Sequence, residues 1–154
     1  MPTFNPINLD DEYSLRVLDP KDFDELLPLC HEFHQISPWK GLPFKVEWAE
    51  SVINDTNSLV IGLFYKGTIV GFIAGTKYEH PMFATLFSNE YACYVQPEHR
   101  KKHSNELIQM YEAWAKYHEC KYVTLTNMGT KKLNPVYEKM GYNLVEQFFI
   151  KELR

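Results

Sequence analysis

EYACYVQPEHRKKHSNEL, residues 90–107, joins an apolar, strand-like run to the opening turn of a helix-like run, LIQMYEAWAKYH. A strand, a tight turn and a helix N-terminus are the parts of an anion cradle, because the first N–H groups of a helix have no partner within it. Such cradles normally use glycine, which lets bare backbone approach a phosphate closely. This stretch has none, and carries Arg100, Lys101, Lys102 and His103 in a row. Cations at a helix N-terminus oppose its dipole at a cost of about 0.3–1 kcal/mol each, and a bound anion reverses that sign.

Outward from the cradle, periodicity gives the rest of the chain. The helix after it places Leu107, Met110, Tyr111 and Trp114 on one face, with Tyr117 or His118 continuing it. Upstream, SLVIGLFY (58–65) and TIVGFIAGTKY (68–78) flank Lys66-Gly67 as a hairpin, and TLFSNEYACYV (85–95) is a third long strand. YSLRVL (13–18) is a short strand. Asp19 is then an N-cap before Pro20 at the first helical position, with apolar residues at helical spacing through residue 34. Pro28 inside that pattern predicts a kink or a break. FKVEWAESVIN (44–54) is a second helix, KYVTLTN (121–127) a strand, and KKLNPVYEKM a short helix stopped by Gly141. NLVEQFFIKEL (143–153) reads as the last strand. Residues 1–12 read as an N-terminal arm and 13–154 as a single domain. The expected class is a mixed α/β (α+β) fold, with about four helices on both faces of a mostly antiparallel sheet of six to seven strands.

Composition narrows the function. The chain has 154 residues, 45% hydrophobic and 23% charged, which is enough to bury a core. A net charge of −4 excludes bulk nucleic-acid binding by phosphate neutralisation and favours cationic substrates such as amines. No apolar run reaches membrane-span length, and the start does not read as a signal peptide. Cys30, Cys93 and Cys120 form neither a disulfide framework nor a metal motif, so a reducing cytoplasm is the expected location. His31 and His34 have a spacing that could ligate metal, but no further ligand pattern accompanies them, so no metal is expected.

The strand–turn–helix YVQPEHRKKHSNEL and the later VYEKMGY (136–142) together resemble the GNAT superfamily of acyl-CoA-dependent N-acyltransferases over about residues 13–153. The first is similar to the family's V-x-P-x-x-R-G-x-G-x-G run, whose signature binds the coenzyme pyrophosphate. The second is similar to its L-Y-E-K-x-G-F run. The resemblance implies an acetyl-CoA-dependent N-acetyltransferase that moves an acetyl group to an amine by direct attack in a ternary complex. Coenzyme A would be held by Tyr94, Val95, Arg100, Lys101, Lys102, His103, Ser104, Asn105 and Thr130, with the Val95 N–H on the acyl carbonyl. Lys101, His103 and Asn105 stand where the family commonly has glycine, and Thr130 stands where it has asparagine. Those departures keep a second reading open, a GNAT fold that has lost catalysis and acts as a binding or regulatory module.

Tyr137 occupies the position of the family's catalytic tyrosine, and a phenol can protonate a leaving thiolate. Glu90 is the candidate base for removing an amine proton; the residues equally allow an exposed strand position for it. A buried-strand cysteine such as Cys93 is ordinarily a small hydrophobe, so no acyl-enzyme is expected. Glu32, His34, Trp39 and Trp48 are the candidate acceptor contacts, suited to a cationic amine through carboxylate and cation–π interactions, although both tryptophans could equally pack helices on the sheet. The expected partners are a small-molecule or peptide amine, neither nucleic acid nor membrane, with a homodimer left open.

Overall fold

The computed structural model describes residues 6–153. One six-stranded sheet runs β1 (Ile7–Asn8), β2 (Tyr13–Val17), β3 (Ser58–Tyr65), β4 (Thr68–Glu79), β5 (Leu86–Val95) and β6 (Tyr122–Thr124), in that spatial order. Every neighbouring pair is antiparallel except β5 and β6, which are parallel. The helices are α1 (Phe23–Ile36), α2 (Val46–Asn54), α3 (Ser104–Tyr117) and α4 (Asn134–Lys139). Among the described residues, no helix is long and apolar enough to cross a membrane.

Strand alternation divides the core into two layers. Leu59, Ile61 and Leu63 of β3 pack with Leu107, Tyr111 and Trp114 of α3 on one face. Val60 and Phe64, with Phe72 of β4, pack on the other face with Leu26 and Leu29 of α1 and Val52 of α2. The hairpin turn has Lys66 at φ 49° and Gly67 at φ 83°, the left-handed pair a two-residue connection requires. Asp19 caps the chain's entry to α1 as expected: its side chain accepts from the Lys21 N–H, and Asp22 returns the bond to the Asp19 N–H. Helix α1 runs through Pro28 without a break.

The feature that shapes the molecule lies in β5. Ala74 opposes Ala92 while Gly75 opposes Glu90, so Tyr91 is an extra residue in a β-bulge. The parallel ladder to β6 covers only Phe87–Asn89 against Tyr122–Thr124, and β5 continues to Val95 without it. The two strands therefore part just where the bulge begins.

Three expectations are corrected. KYVTLTN pairs over three residues rather than seven, because the Thr126 N–H bonds the Glu90 side chain instead of the β5 backbone. NLVEQFFIKEL is neither strand nor helix, and every residue from 143 to 153 is exposed. β-Prone composition supplies a tendency, but a strand exists only where an edge pairs with it. Within the stretch read as an arm, Ile7–Asn8 pairs with β2, and Asp10 Oδ1 accepts the N–H groups of Glu12 and Tyr13 at 2.7 Å.

Gly75 faces the bulge, and a Cβ there would lie 2.6 Å from the Tyr111 hydroxyl. Tyr111 is fully buried and accepts a 2.6 Å hydrogen bond from Ser88, so it cannot yield cheaply. Gly75→Ala is expected to cost about 1–3 kcal/mol by overpacking, read from urea unfolding midpoints.

Candidate active site

The parting of β5 and β6 leaves backbone groups of β5 facing an open side. The Gln96 N–H bonds the Val70 carbonyl, so Gln96 points toward β4. Alternation then directs the Val95 N–H away from β4, toward the side that β6 has left. The Val95 carbonyl accepts from Arg100 Nε at 2.8 Å.

The bulge decides where Glu90 goes. In unbroken alternation Glu90 would share a face with Ala92 and Tyr94, beneath α1 and α2. The inserted Tyr91 instead lines the α1–α2 side together with Ala92, and Glu90 neighbours Cys93, Tyr111 and Tyr137 on the opposite side. Glu90 is buried, at 7% exposure, and burial pushes its carboxyl up to about 7 against the opposing pull of the Thr126 hydrogen bonds. Such a group is part ionised at neutral pH, as a general base should be.

Thr126 joins the two candidate catalytic groups. Its N–H donates to Glu90 Oε2 at 3.1 Å, and its carbonyl accepts from Tyr137 Oη at 3.0 Å. Burial, then the Glu90 charge, raises the Tyr137 phenol above its usual value, so it stays protonated and able to donate. Burial likewise raises the Cys93 thiol and keeps it from being a thiolate nucleophile. Neither Thr126 nor the Tyr91 bulge carries a sequence signal; both follow from where the strands part.

The cradle keeps the backbone of a glycine loop without the glycine. Pro97–His99 forms one 3-10 turn, and Lys101 then adopts φ 66°, the left-handed conformation costly to a residue with a Cβ. Helix α3 follows with no side chain capping its first-turn amides. Those free N–H groups and the exposed Lys101 and Lys102 are a donor set that fits a pyrophosphate. The other basic residues point elsewhere. Arg100 is folded back over the Tyr94 ring, 5.6 Å from its centroid. His103 Nε2 is 2.9 Å from Asp10 Oδ2, and its Nδ1, buried and without a hydrogen bond, is 3.4 Å from Glu106. Asn105 lies in the first turn beside Ser104, whereas Thr130 accepts from the Lys132 N–H and caps a separate short turn.

On the α1–α2 side an apolar cavity of about 70 Å³ is walled by Phe33, Phe44, Trp48 and Tyr91 among others. Trp48 meets Tyr91 edge-on at 5.0 Å, which places it beside the bulge. Glu32 accepts from Gln96 Nε2 at 3.3 Å, at the end of β5. His34 Nε2 lies 2.7 Å from the Leu42 carbonyl, and the Trp39 N–H bonds Ser37 Oγ, so both belong to the α1–α2 connection. Glu32 and Trp48 therefore border β5, while His34 and Trp39 shape the loop above it. Among the described residues, no cluster of three or more metal-type side chains occurs.

Solved structures share this architecture. The ribosomal-protein-alanine N-acetyltransferase from Brucella melitensis biovar Abortus 2308 matches 92% of this chain and 99% of its own, at TM-score 0.71 and 18% identity. AAC(6')-Iy, solved with the bisubstrate analogue CoA-S-monomethyl-acetylneamine, matches 94% and 99% at TM-score 0.75 and 15% identity. The aminoglycoside acetyltransferase meta-AAC0020 from an uncultured soil metagenomic sample, solved with sisomicin, matches 96% and 100% at TM-score 0.74 and 13% identity. At these identities the likeness is one of fold. No curated protein sequence matches the chain. The model of the acetyltransferase (GNAT) family matches residues 21–142, a span that includes the bulge, the cradle and Tyr137, and the chain belongs to that family.

Proposed function

We propose that the chain is an acetyl-CoA-dependent N-acetyltransferase that acetylates a primary amine by direct attack in a ternary complex. The observation that carries this reading is the Glu90–Thr126–Tyr137 arrangement at the parting of β5 and β6. Acetyl-CoA supplies the activated acetyl thioester. The amides of Ser104 and Asn105, with Lys101 and Lys102, hold its pyrophosphate, and the Val95 N–H orients the acyl carbonyl. Glu90 accepts a proton from the incoming ammonium, directly or through one water, because an amine with a pKa near 10 is otherwise unreactive at neutral pH. Tyr137 donates its hydroxyl proton to the departing sulfur. The two groups lie on either side of Thr126, so removal and delivery of protons occur at separate atoms.

The acceptor enters between α1–α2 and β5, where Glu32 offers a carboxylate and Trp48 and Tyr91 offer ring faces to a cation. Amine-bearing small molecules of the kind the aminoglycoside acetyltransferases act on suit this lining, as does a peptide amine. The chemistry belongs to a cytoplasmic setting, where acetyl-CoA is available and the three cysteines remain thiols.

Calorimetric titration with acetyl-CoA, followed by an amine-panel assay for free thiol, tests the proposal. Saturable binding with turnover supports it. Binding without turnover on any amine leaves a coenzyme-binding module, and no binding at millimolar ligand overturns both readings.

Tyr137→Phe is expected to lower kcat by about 100-fold or more while leaving coenzyme affinity within about twofold. Wild-type kcat/KM is expected to rise with pH through an ionisation near 7, which Glu90→Gln removes along with at least about 100-fold of the rate. The same substitution has a stability signature of known sign. The Glu90 carboxyl is raised in the folded chain above its value of 4.5, so its contribution to stability is lost as pH rises from 4.5 through about 7. The gain in Tm of Glu90→Gln over wild type is therefore expected to be larger at pH 8 than at pH 5, measured by calorimetry. Lys101→Gly relieves the left-handed backbone and is expected to stabilise the fold by about 1 kcal/mol while weakening coenzyme binding through the lost cation.

A further inference from the structure

Among the described residues that wall the cavity on the α1–α2 side, none is charged. Its floor is Val60 of β3 and Phe72 of β4, both buried. Cys30 of α1 adds a thiol that burial pushes up to about 11, so it stays uncharged at neutral pH. Three small side chains leave the space open: Ala49 from α2, Ala74 from β4 and Ala92 from β5. The outer wall differs from the floor. Trp48 and Tyr91 are 43% and 38% exposed and meet edge-on. The cavity therefore opens to solvent beside two rings, unlike a packing void sealed within a core.

The position of that opening ties the cavity to the site. Its β5 wall is Tyr91 and Ala92, the bulge segment itself. β6 has parted from β5 by this point, so a molecule lying across the open side of β5 reaches both faces of the sheet. One end meets the Glu90 and Tyr137 side, and the other enters the cavity. Size and lining then select the chemistry. A cavity of about 150 Å³ takes benzene, so one of about 70 Å³ takes roughly three or four carbons. An ammonium drawn into it would lose its water and meet no carboxylate.

We propose that this cavity receives an uncharged aliphatic group of the acceptor, so that the substrate is a primary amine on a short apolar chain rather than a polycation. The inference rests on the acetyl-transfer reading and names the class of its acceptor. The reacting nitrogen stays outside the cavity, and the rings of Trp48 and Tyr91 meet the carbon next to it. Two sources present this chemistry: a free aliphatic monoamine, and an N-terminal residue with an aliphatic side chain.

Steady-state acetylation of methylamine, butylamine, hexylamine and 1,4-diaminobutane, with alanine-methyl NMR under butylamine titration, tests it. Each methylene buried should raise kcat/KM about fourfold, so butylamine should exceed methylamine by about 60-fold. Hexylamine should add little to that, and 1,4-diaminobutane, charged at both ends, should fall back to the methylamine value. Leucinamide against glycinamide reads the second source, and a larger gain there than in the amine series assigns the N-terminal residue. Ala49→Leu fills the cavity from α2 and should remove the gain, with coenzyme affinity kept within about twofold as the check on folding. Val52→Ala enlarges the cavity and should let hexylamine exceed butylamine. Butylamine should shift the methyl signals of Ala49 and Ala92, and no shift there overturns the inference. Acetylation with no chain-length gain in either series, or with the diamine preferred, overturns it and leaves acetyl transfer standing. Butylamine bound at those methyls with no amine acetylated overturns the acetyl-transfer reading, and the acceptor assignment with it.

Discussion

The constraint on which the rest depends is the loss of pairing between β5 and β6 after Asn89 and Thr124. A parallel sheet continued to Val95 would consume the outward N–H groups of β5 and leave no site. The extra residue at Tyr91 accompanies the parting and turns Glu90 to the α3 side. The carboxylate then takes up the Thr126 N–H that the ladder has lost. A buried donor is satisfied, and the same contact restrains a carboxyl that burial pushes up to about 7. Structure and chemistry share one hydrogen bond.

The elements on either side hold this opening in place. Tyr111 of α3, fully buried against Gly75, braces the bulge from one face. Trp48 of α2 meets Tyr91 from the other. The cradle is tied independently, because Asp10 both turns the chain into β2 and engages His103 at the start of α3. Tyr13 adds a second tie, its hydroxyl lying 2.7 Å from His99 Nδ1. The N-terminal stretch thus bears on the loop before α3, although it is remote from it in sequence.

Most of the fold was legible in the sequence, because the hairpin turn at Lys66-Gly67, the Asp19 cap and the face of α3 are local signals. The family was legible from the order of elements and the two motif segments. What depends on pairing was not. Glu90 has the same neighbours in sequence whether it is exposed or buried, and only the Tyr91 bulge, which no residue type announces, decides between them. The fate of residues 143–153 was hidden for the same reason: their composition fits a strand, but whether an edge pairs with it is not encoded locally. Conversely, the absence of glycine after Arg100 misdescribes the backbone, since Lys101 takes the left-handed conformation anyway.

The central claim is that the open side of β5 receives an acyl group between Val95 and Tyr137. A crystal structure of the chain with a non-hydrolysable acetyl-CoA analogue tests it most directly. The acyl carbonyl oxygen is expected about 2.7–3.1 Å from the Val95 nitrogen, with the pyrophosphate on the first turn of α3 and the sulfur within reach of Tyr137 Oη. An analogue bound elsewhere, or β6 paired with β5 as far as Val95, would contradict the account.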